Sequence, residues 1–216
     1  MAIKAGFNTT VKLSGISTTL TSSPMTAVST AVTGDPPNTF QVDGQTLRVW
    51  DRDAAFSFKH GSTAIPSSQV NNVDYLFGKV TFSVPKGSSA VVKASGKFLP
   101  TTAVAGAHGY NINISSELLD DTDFLSTGYR SRTSGLKDVN VTVNRWDSAS
   151  TEFFNLINTG GSAVVEIVPS GSSIAARGFF IVESENRSGD VASLEAADIT
   201  LQLDESTSAA FGYGTL

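Results

Sequence analysis

The chain has 216 residues, enough to bury a substantial core, which argues against disorder throughout. Hydrophobic residues make up 40% and charged residues only 16%, with Gly, Ser, Thr and Val abundant, a balance that favours sheets over a helical bundle. The 15 Lys+Arg against 20 Asp+Glu give a net charge of -5, which disfavours tight binding to a phosphate backbone, and the absence of Cys excludes a disulfide scaffold or a thiolate metal site.

The opening MAIKAGFNTTVKL lacks the apolar run of a signal peptide, and no later stretch reaches the roughly 20 apolar residues of a membrane span. The chain therefore reads as soluble and not secreted by the usual route. Residues 1–40 are rich in Ser and Thr and broken by Pro24, Pro36 and Pro37, the pattern of an extended amino-terminal arm with one or two short strands. From residue 41 to 216 a single β-rich domain is expected. Leu47 with Val49, Phe56 with Phe58, and Val80, Phe82 and Val84 alternate as strand faces. Asp74 to Val80 reads as a hairpin turning at Gly78.

Further strands are predicted over Val91 to Phe98, Tyr110 to Ile114 and Val139 to Val143, the last two half-buried because apolar residues alternate with Asn or Thr. Phe153, Leu156 and Ile157 recur at helical spacing, so Ser148 to Gly161 is expected to hold one short amphipathic helix, capped by Ser148 and ended at Gly160. Strands over Val164 to Val168, Phe179 to Val182 and Ile199 to Leu203 follow. The predicted fold class is all-β with one short flanking helix, a β-sandwich or partial barrel.

No grouping of residues points to catalysis, a cofactor or a metal. His60 and His108 have no second His or carboxylate at ligand spacing, and there is no Walker loop, dinucleotide-binding glycine pattern or nucleophile elbow. Asp51 with Asp53, and Asp120, Asp121 and Asp123, could serve as paired carboxylates or as oxygen ligands for calcium, but neither cluster has the Gly and distal Glu of an EF-hand loop. Turn chemistry accounts for the first pair. The Asn-X-Ser/Thr triplets at Asn8, Asn113, Asn140 and Asn186 carry almost no weight in a chain this rich in Ser and Thr.

Two stretches carry a resemblance. Leu119-Asp120-Asp121-Thr122-Asp123-Phe124, followed by Gly135-Leu136-Lys137-Asp138, resembles a motif pair of the major tail (tail tube) proteins of long-tailed, siphovirus-like phages. Leu47-Arg48-Val49-Trp50-Asp51, Val73 to Phe82 and Gly96 to Pro100 are similar to their amino-terminal half, so the likeness runs from about Leu47 to Leu203. Asp121 and Asp123 make the first motif more acidic than usual in that family.

The resemblance implies a virion protein, assembled in the host cytoplasm, whose hexameric rings stack into a tube for DNA ejection. Its implied partners are further copies of itself, tail tip and tail terminator proteins at the ends, and the tape measure protein and DNA passing through the lumen. It also implies that a loop over residues 115–138 and the amino-terminal arm reach neighbouring subunits. The interface residues it nominates are Leu119, Asp120, Thr122, Phe124, Arg130, Arg132, Gly135, Leu136 and Asp138, with acids near Glu117 to Asp123 pairing with cations near Arg130 to Lys137. The competing readings are another β-sandwich virion protein, such as a capsid decoration or tail-fibre domain, and a carbohydrate-binding or adhesin module. The latter needs exposed aromatic platforms, whereas Trp50 and Trp146 sit in strand-like settings suited to packing.

Overall fold

A computed structural model describes residues 9–29, 38–87, 91–121, 130, 132–146, 151–190, 194–204 and 211–215. In chain order its strands are β1 (Thr10–Ser14), β2 (Thr18–Ser29), β3 (Thr39–Val42), β4 (Ser57–His60), β5 (Thr63–Ile65), β6 (Val70–Asp74), β7 (Lys79–Phe82), β8 (Val92–Phe98), β9 (Thr101–Ala103), β10 (Ala107–Asp120), β11 (Arg132–Trp146), β12 (Ser162–Val168), β13 (Ile174–Ser188), β14 (Ala196–Leu203) and β15 (Phe211–Thr215). One helix, α1 (Glu152–Thr159), lies between β11 and β12 in the chain. The fold is mostly β, with strands in two sheets.

Contacts divide the chain into two compact units: Met1–Val104 with Ala163–Phe179 and Glu205–Leu216, and Ala105–Ser162 with Phe180–Asp204. The division does not fall at residue 40. Within the first forty residues, β1 pairs with β9 and β12, and β2 pairs with β3 and β8, so Thr10–Ser29 is built into the sheets rather than laid out as an arm. Thr is a good strand residue, and Val11, Leu13, Leu20 and Met25 are buried between the Ser and Thr that hide their periodicity. Residues 1–8 and 30–37 lie outside the described residues.

In the first unit a seven-stranded antiparallel sheet runs in the order β5-β4-β8-β2-β3-β7-β6. Its core is aromatic. Trp50 is fully buried, stacks on Phe56 with ring centroids 4.5 Å apart and donates its indole N–H to the Leu47 carbonyl at 2.9 Å. Phe58 packs edge-on against Phe82 at 5.8 Å. Asp51 closes a turn, accepting the Asp53 N–H at 3.0 Å and the Ser17 hydroxyl at 2.6 Å, as its turn reading requires.

The β6–β7 turn is where sequence and structure agree most closely. Leu76, Phe77 and Gly78 are buried, and each carbonyl of the turn has a distant donor. Tyr75 O accepts from Trp50 N at 2.7 Å, Leu76 O from Arg177 Nη1 at 2.8 Å, Phe77 O from Gln41 Nε2 at 2.9 Å and Gly78 O from Val42 N at 3.0 Å. Gly78 has φ +58°, and a Cβ there would lie 2.9 Å from the Arg48 Cα and carbonyl oxygen. Gly78→Ala must therefore strain the turn and displace backbone together, and a loss of about 3 kcal/mol or more in urea unfolding is expected.

Asp74 opens this turn, with Oδ1 accepting the Leu76 and Phe77 N–H groups at 3.1 Å each. Burial pushes its carboxyl above the ordinary carboxylate range, although those N–H groups, Lys79 and Arg177 pull the other way. A carboxyl with a raised folded pKa holds its proton more tightly when folded. Its contribution is therefore most favourable below the unfolded value near pH ~3.9 and turns into a cost as pH rises through the folded value. Asp74→Asn keeps the acceptor oxygen and removes the charge. Its stability relative to wild type should rise between pH 4 and 7, read as the difference in urea midpoints; a fall over that interval would show that the charge itself holds the turn.

The first unit also buries a charge cluster that the sequence reading does not anticipate. Glu166 on β12 is fully buried; its Oε2 accepts from Arg177 Nε of β13 at 2.6 Å and lies against Arg177 Nη2, while its Oε1 is 2.7 Å from Lys12 Nζ of β1. The Arg177 guanidinium also covers the Phe77 ring at 5.1 Å.

In the second unit β10, β11, β14 and the Phe180–Ser188 part of β13 form an antiparallel sheet. Cα partners put their side chains on the same face. One face has buried Val139, Val141, Val143, Ile199, Leu201 and Val182. Buried Arg145 lies on that face too, bonded to Glu185 Oε1 at 2.9 Å and 5.2 Å from the Phe153 ring of α1. The helix starts at Glu152 after Thr151, later than the expected Ser148, which lies outside the described residues. It ends as predicted at Gly160, with φ 61° and its N–H bonded back to the Ile157 carbonyl.

Candidate assembly site

The longest uncovered element is the β10–β11 hairpin. Alternation alone suggests a strand over Tyr110 to Ile114, yet β10 runs for 14 residues and β11 for 15, paired from Ala107↔Arg145 to Asp120↔Arg132. The stretch 115–138, expected as a loop, is therefore mostly paired backbone. Its polar sequence conceals the strands because neither face is buried here, so no two-residue period is imposed. From Asn113 to Asp121, and from Arg132 to Asp138 apart from half-buried Gly135, every described residue is exposed.

Of the nominated interface residues, the described ones fall on or beside this hairpin. Leu119 is exposed and faces Thr133, Asp120 faces Arg132, and Asp138 faces Ser115. Gly135 sits where β11 has an extra residue against β10, between the Ser116↔Lys137 and Leu118↔Ser134 pairs. A Cβ on Gly135 would meet Glu117 Cβ at 3.2 Å and Leu119 Cγ at 3.3 Å, which gives a packing reason for Gly at this point of the motif. Leu136 beside it is 81% exposed, the most solvent-accessible large apolar residue among the described residues of the hairpin. Arg130 is exposed. Thr122 and Phe124 lie outside the described residues.

Two expectations change here. Asp120 stands opposite Arg132 across the hairpin, and Thr133 donates to Asp121 at 2.6 Å, so the acids of the first motif have neighbours within the chain. Tyr110 and Ile114 are exposed rather than half-buried, because they share the face of Val143 and Val139 but stand on the outermost strand.

That outermost position is the feature sequence reading misses. β10 pairs with β11 on one side and has no strand partner on the other among the described residues. The strand carries no Pro and no Lys, and its central residues Tyr110 to Ser116 carry no charge; its irregularities are the register shifts at Ala107/Gly109 and Ser116/Leu118 and the acids Glu117 and Asp120. Apolar Tyr110, Ile114, Leu118 and Leu119 stand exposed along it.

The opposite face of the same sheet is mostly polar, with exposed Ile181 paired beside Gln202. Asn111, Asn113, Asn140, Thr142, Asn144, Thr200 and Gln202 share it with Asp138, Glu183 and Asp198, and no Lys or Arg lies among them. The acids are held by amides: Asn144 Nδ2 donates to Asp198 Oδ1 at 2.6 Å, and Gln202 Nε2 to Glu183 Oε2 at 2.9 Å.

The histidines belong to separate local settings. His60 Nε2 is 3.0 Å from the Gly87 carbonyl, and His108 stacks on Trp146 at 4.2 Å. Among the described residues no group of three or more His, Cys, Asp or Glu is arranged to hold a metal, and no helix is long and apolar enough to cross a membrane.

No family model matches the sequence, and no curated protein matches it. Among solved structures, the chain is similar to one from the tail of an empty gene transfer agent particle of C6 symmetry, at 14% identity and TM-score 0.46, covering 54% of this chain and 87% of that one. A second similar chain comes from the virion of a native gene transfer agent particle, at 14% identity and TM-score 0.45, covering 53% of this chain and 89% of that one.

Proposed function

We propose that the chain is a structural, non-enzymatic virion protein that polymerises as stacked hexameric rings into a phage tail tube, the conduit for DNA ejection. The observation that carries this reading is the β10 edge, 14 residues long and without a second strand partner among the described residues. Such an edge offers a row of backbone donors and acceptors to a neighbouring strand, and the exposed leucines of the same hairpin gain burial from an adjacent copy. Six copies per ring, and the tip, terminator and tape measure partners, follow from the family resemblance. Negative-stain microscopy of the purified full chain tests the reading: hollow tubes of uniform width are expected, and compact particles at every concentration would favour a decoration or adhesin domain.

The polar face supplies a channel lining. Facing DNA, its carboxylates repel phosphate, while its amides and hydroxyls present no cation on which the duplex could settle. Wild-type tubes should leave duplex DNA unretarded in a gel at low salt. The double substitution Asp198→Lys and Glu183→Lys, both at exposed positions, should produce tubes that retain it in a salt-sensitive way. Retention by wild-type tubes would place a basic surface at the lumen.

A further inference from the structure

The first unit holds an open pocket of about 420 Å³ that contains a buried cation and no acid. Its polar lining comes from His60 at the end of β4, Thr63 on β5, Gln69 before β6 and Lys86 after β7. Ala64, Ile65 and Pro66 form an apolar wall. Lys86 is only 9% exposed, a degree of burial that lysine rarely reaches without an anion beside it. Its Nζ donates to Gln69 Oε1 at 2.6 Å and stands 5.4 Å from the Phe82 ring, but no carboxylate pairs with it among the described residues. An amide dipole and a ring face offset only part of what an ammonium loses on leaving water.

The groups around Lys86 are donors as well. Two of the three ammonium N–H groups remain after the bond to Gln69. With Oε1 turned to the ammonium, Gln69 presents its Nε2 as a further donor, and no acceptor among the described residues takes it. The residue is held in place by its backbone, whose N–H bonds to the Pro66 carbonyl at 3.0 Å and whose carbonyl accepts the Ser83 N–H at 2.9 Å. His60 Nε2 is 3.0 Å from the Gly87 carbonyl, and since a carbonyl only accepts, that nitrogen carries hydrogen and ties β4 to the residue beside Lys86. The surrounding strands strengthen the positive field: β4, β5 and β8 carry no acid and contribute Lys59, Lys93 and Lys97.

We propose that this pocket binds a small organic oxyanion, a carboxylate or a phosphate, with its oxygens on Lys86 Nζ and Gln69 Nε2 and its apolar part against Ala64, Ile65 and Pro66. The volume lies within the roughly 300–1,000 Å³ of small-molecule sites. Both source chemistries offer the acceptor-only charge that the donors lack. The site stands apart from the assembly reading, since all its residues belong to the first unit and none to the β10–β11 hairpin.

Acetate, butyrate and inorganic phosphate, titrated into the full-length chain at ionic strength held constant with chloride, test the proposal by proton and phosphorus line broadening. Saturation at millimolar concentration is expected, with butyrate tighter than acetate because only butyrate reaches the apolar wall. Phosphate displacing butyrate assigns a phosphate ligand, and the reverse assigns a carboxylate. Gln69→Glu places the chain's own carboxylate on Lys86, so it should keep or raise the urea midpoint while weakening anion binding at least about tenfold. Lys86→Met should weaken it likewise, whereas Lys93→Met, a cation removed outside the pocket, should bind as the parent does. Broadening that never saturates, or that persists unchanged in folded Gln69→Glu, overturns the proposal, and neither result depends on whether the chain forms tubes.

Discussion

Glu166→Ala is expected to destabilise the folded chain by about 3–5 kcal/mol, the largest stability loss expected of any single substitution considered. Glu166 and Arg177 keep only 1% and 2% of their side-chain surface, so removing the carboxylate leaves a guanidinium buried without its anion. Lys12, 32% exposed, can turn to water, whereas Arg177 is held by the Leu76 carbonyl and the Phe77 ring. The damage should spread to the β6–β7 turn, which depends on the same guanidinium. The double substitution Glu166→Met, Arg177→Met removes both charges and keeps most of the volume, and it should recover much of the loss. Recovery should stop short by about 1–3 kcal/mol, because the buried Leu76 carbonyl loses its donor. Urea unfolding of Glu166→Met, Arg177→Met and the double variant closes the cycle. Additive losses would show that the two charges act independently.

What is legible in this sequence depends on whether a face is buried within the single chain. Val139, Val141 and Val143 alternate with Asn140 and Thr142 because one face meets the core, and the structure buries those valines. Gly78 is legible because only a residue at ease with positive φ suits the turn between two apolar runs. By contrast, Ser115 to Asp120 and Arg132 to Asp138 pair as strands with both faces in solvent, so their composition resembles a loop. The buried charges escape for a different reason. Glu166 within Val164-Val165-Glu166-Ile167-Val168 and Arg177 within Ala175-Ala176-Arg177-Gly178-Phe179 each sit in an apolar run, and that signal marks a buried ion without naming its partner. The first forty residues mislead because Ser and Thr serve equally in strands and linkers. Of the nominated interface, seven residues fall on or beside one hairpin, and what sequence leaves out is that the hairpin's outer strand has no second strand partner among the described residues.

Placing lysine at Ile114 and Leu118 together is expected to abolish polymerisation while leaving the monomer folded. Both side chains are already in solvent, 54% and 60% exposed, so the monomer gives up little packing, and the change in its urea midpoint should correspond to less than about 1 kcal/mol. The consequence at an interface is much larger. Each buried leucine or isoleucine contributes about 1.5–3 kcal/mol by leaving water, and that contribution vanishes. Two ammonium groups must then be desolvated beside a neighbouring strand, and the same pair recurs at every subunit contact, so the effect multiplies along a tube. Lysine on an open edge is also a common means by which sheet proteins discourage strand addition. Sedimentation and negative-stain microscopy at matched concentration should show tubes for the parent chain and monomers for the variant. Glu117→Lys, on the opposite face of β10 and exposed, controls for charge alone: it should still polymerise. Tubes from the Ile114→Lys, Leu118→Lys chain as abundant as those of the parent would show that this edge faces solvent in the assembly and that the contacts lie elsewhere.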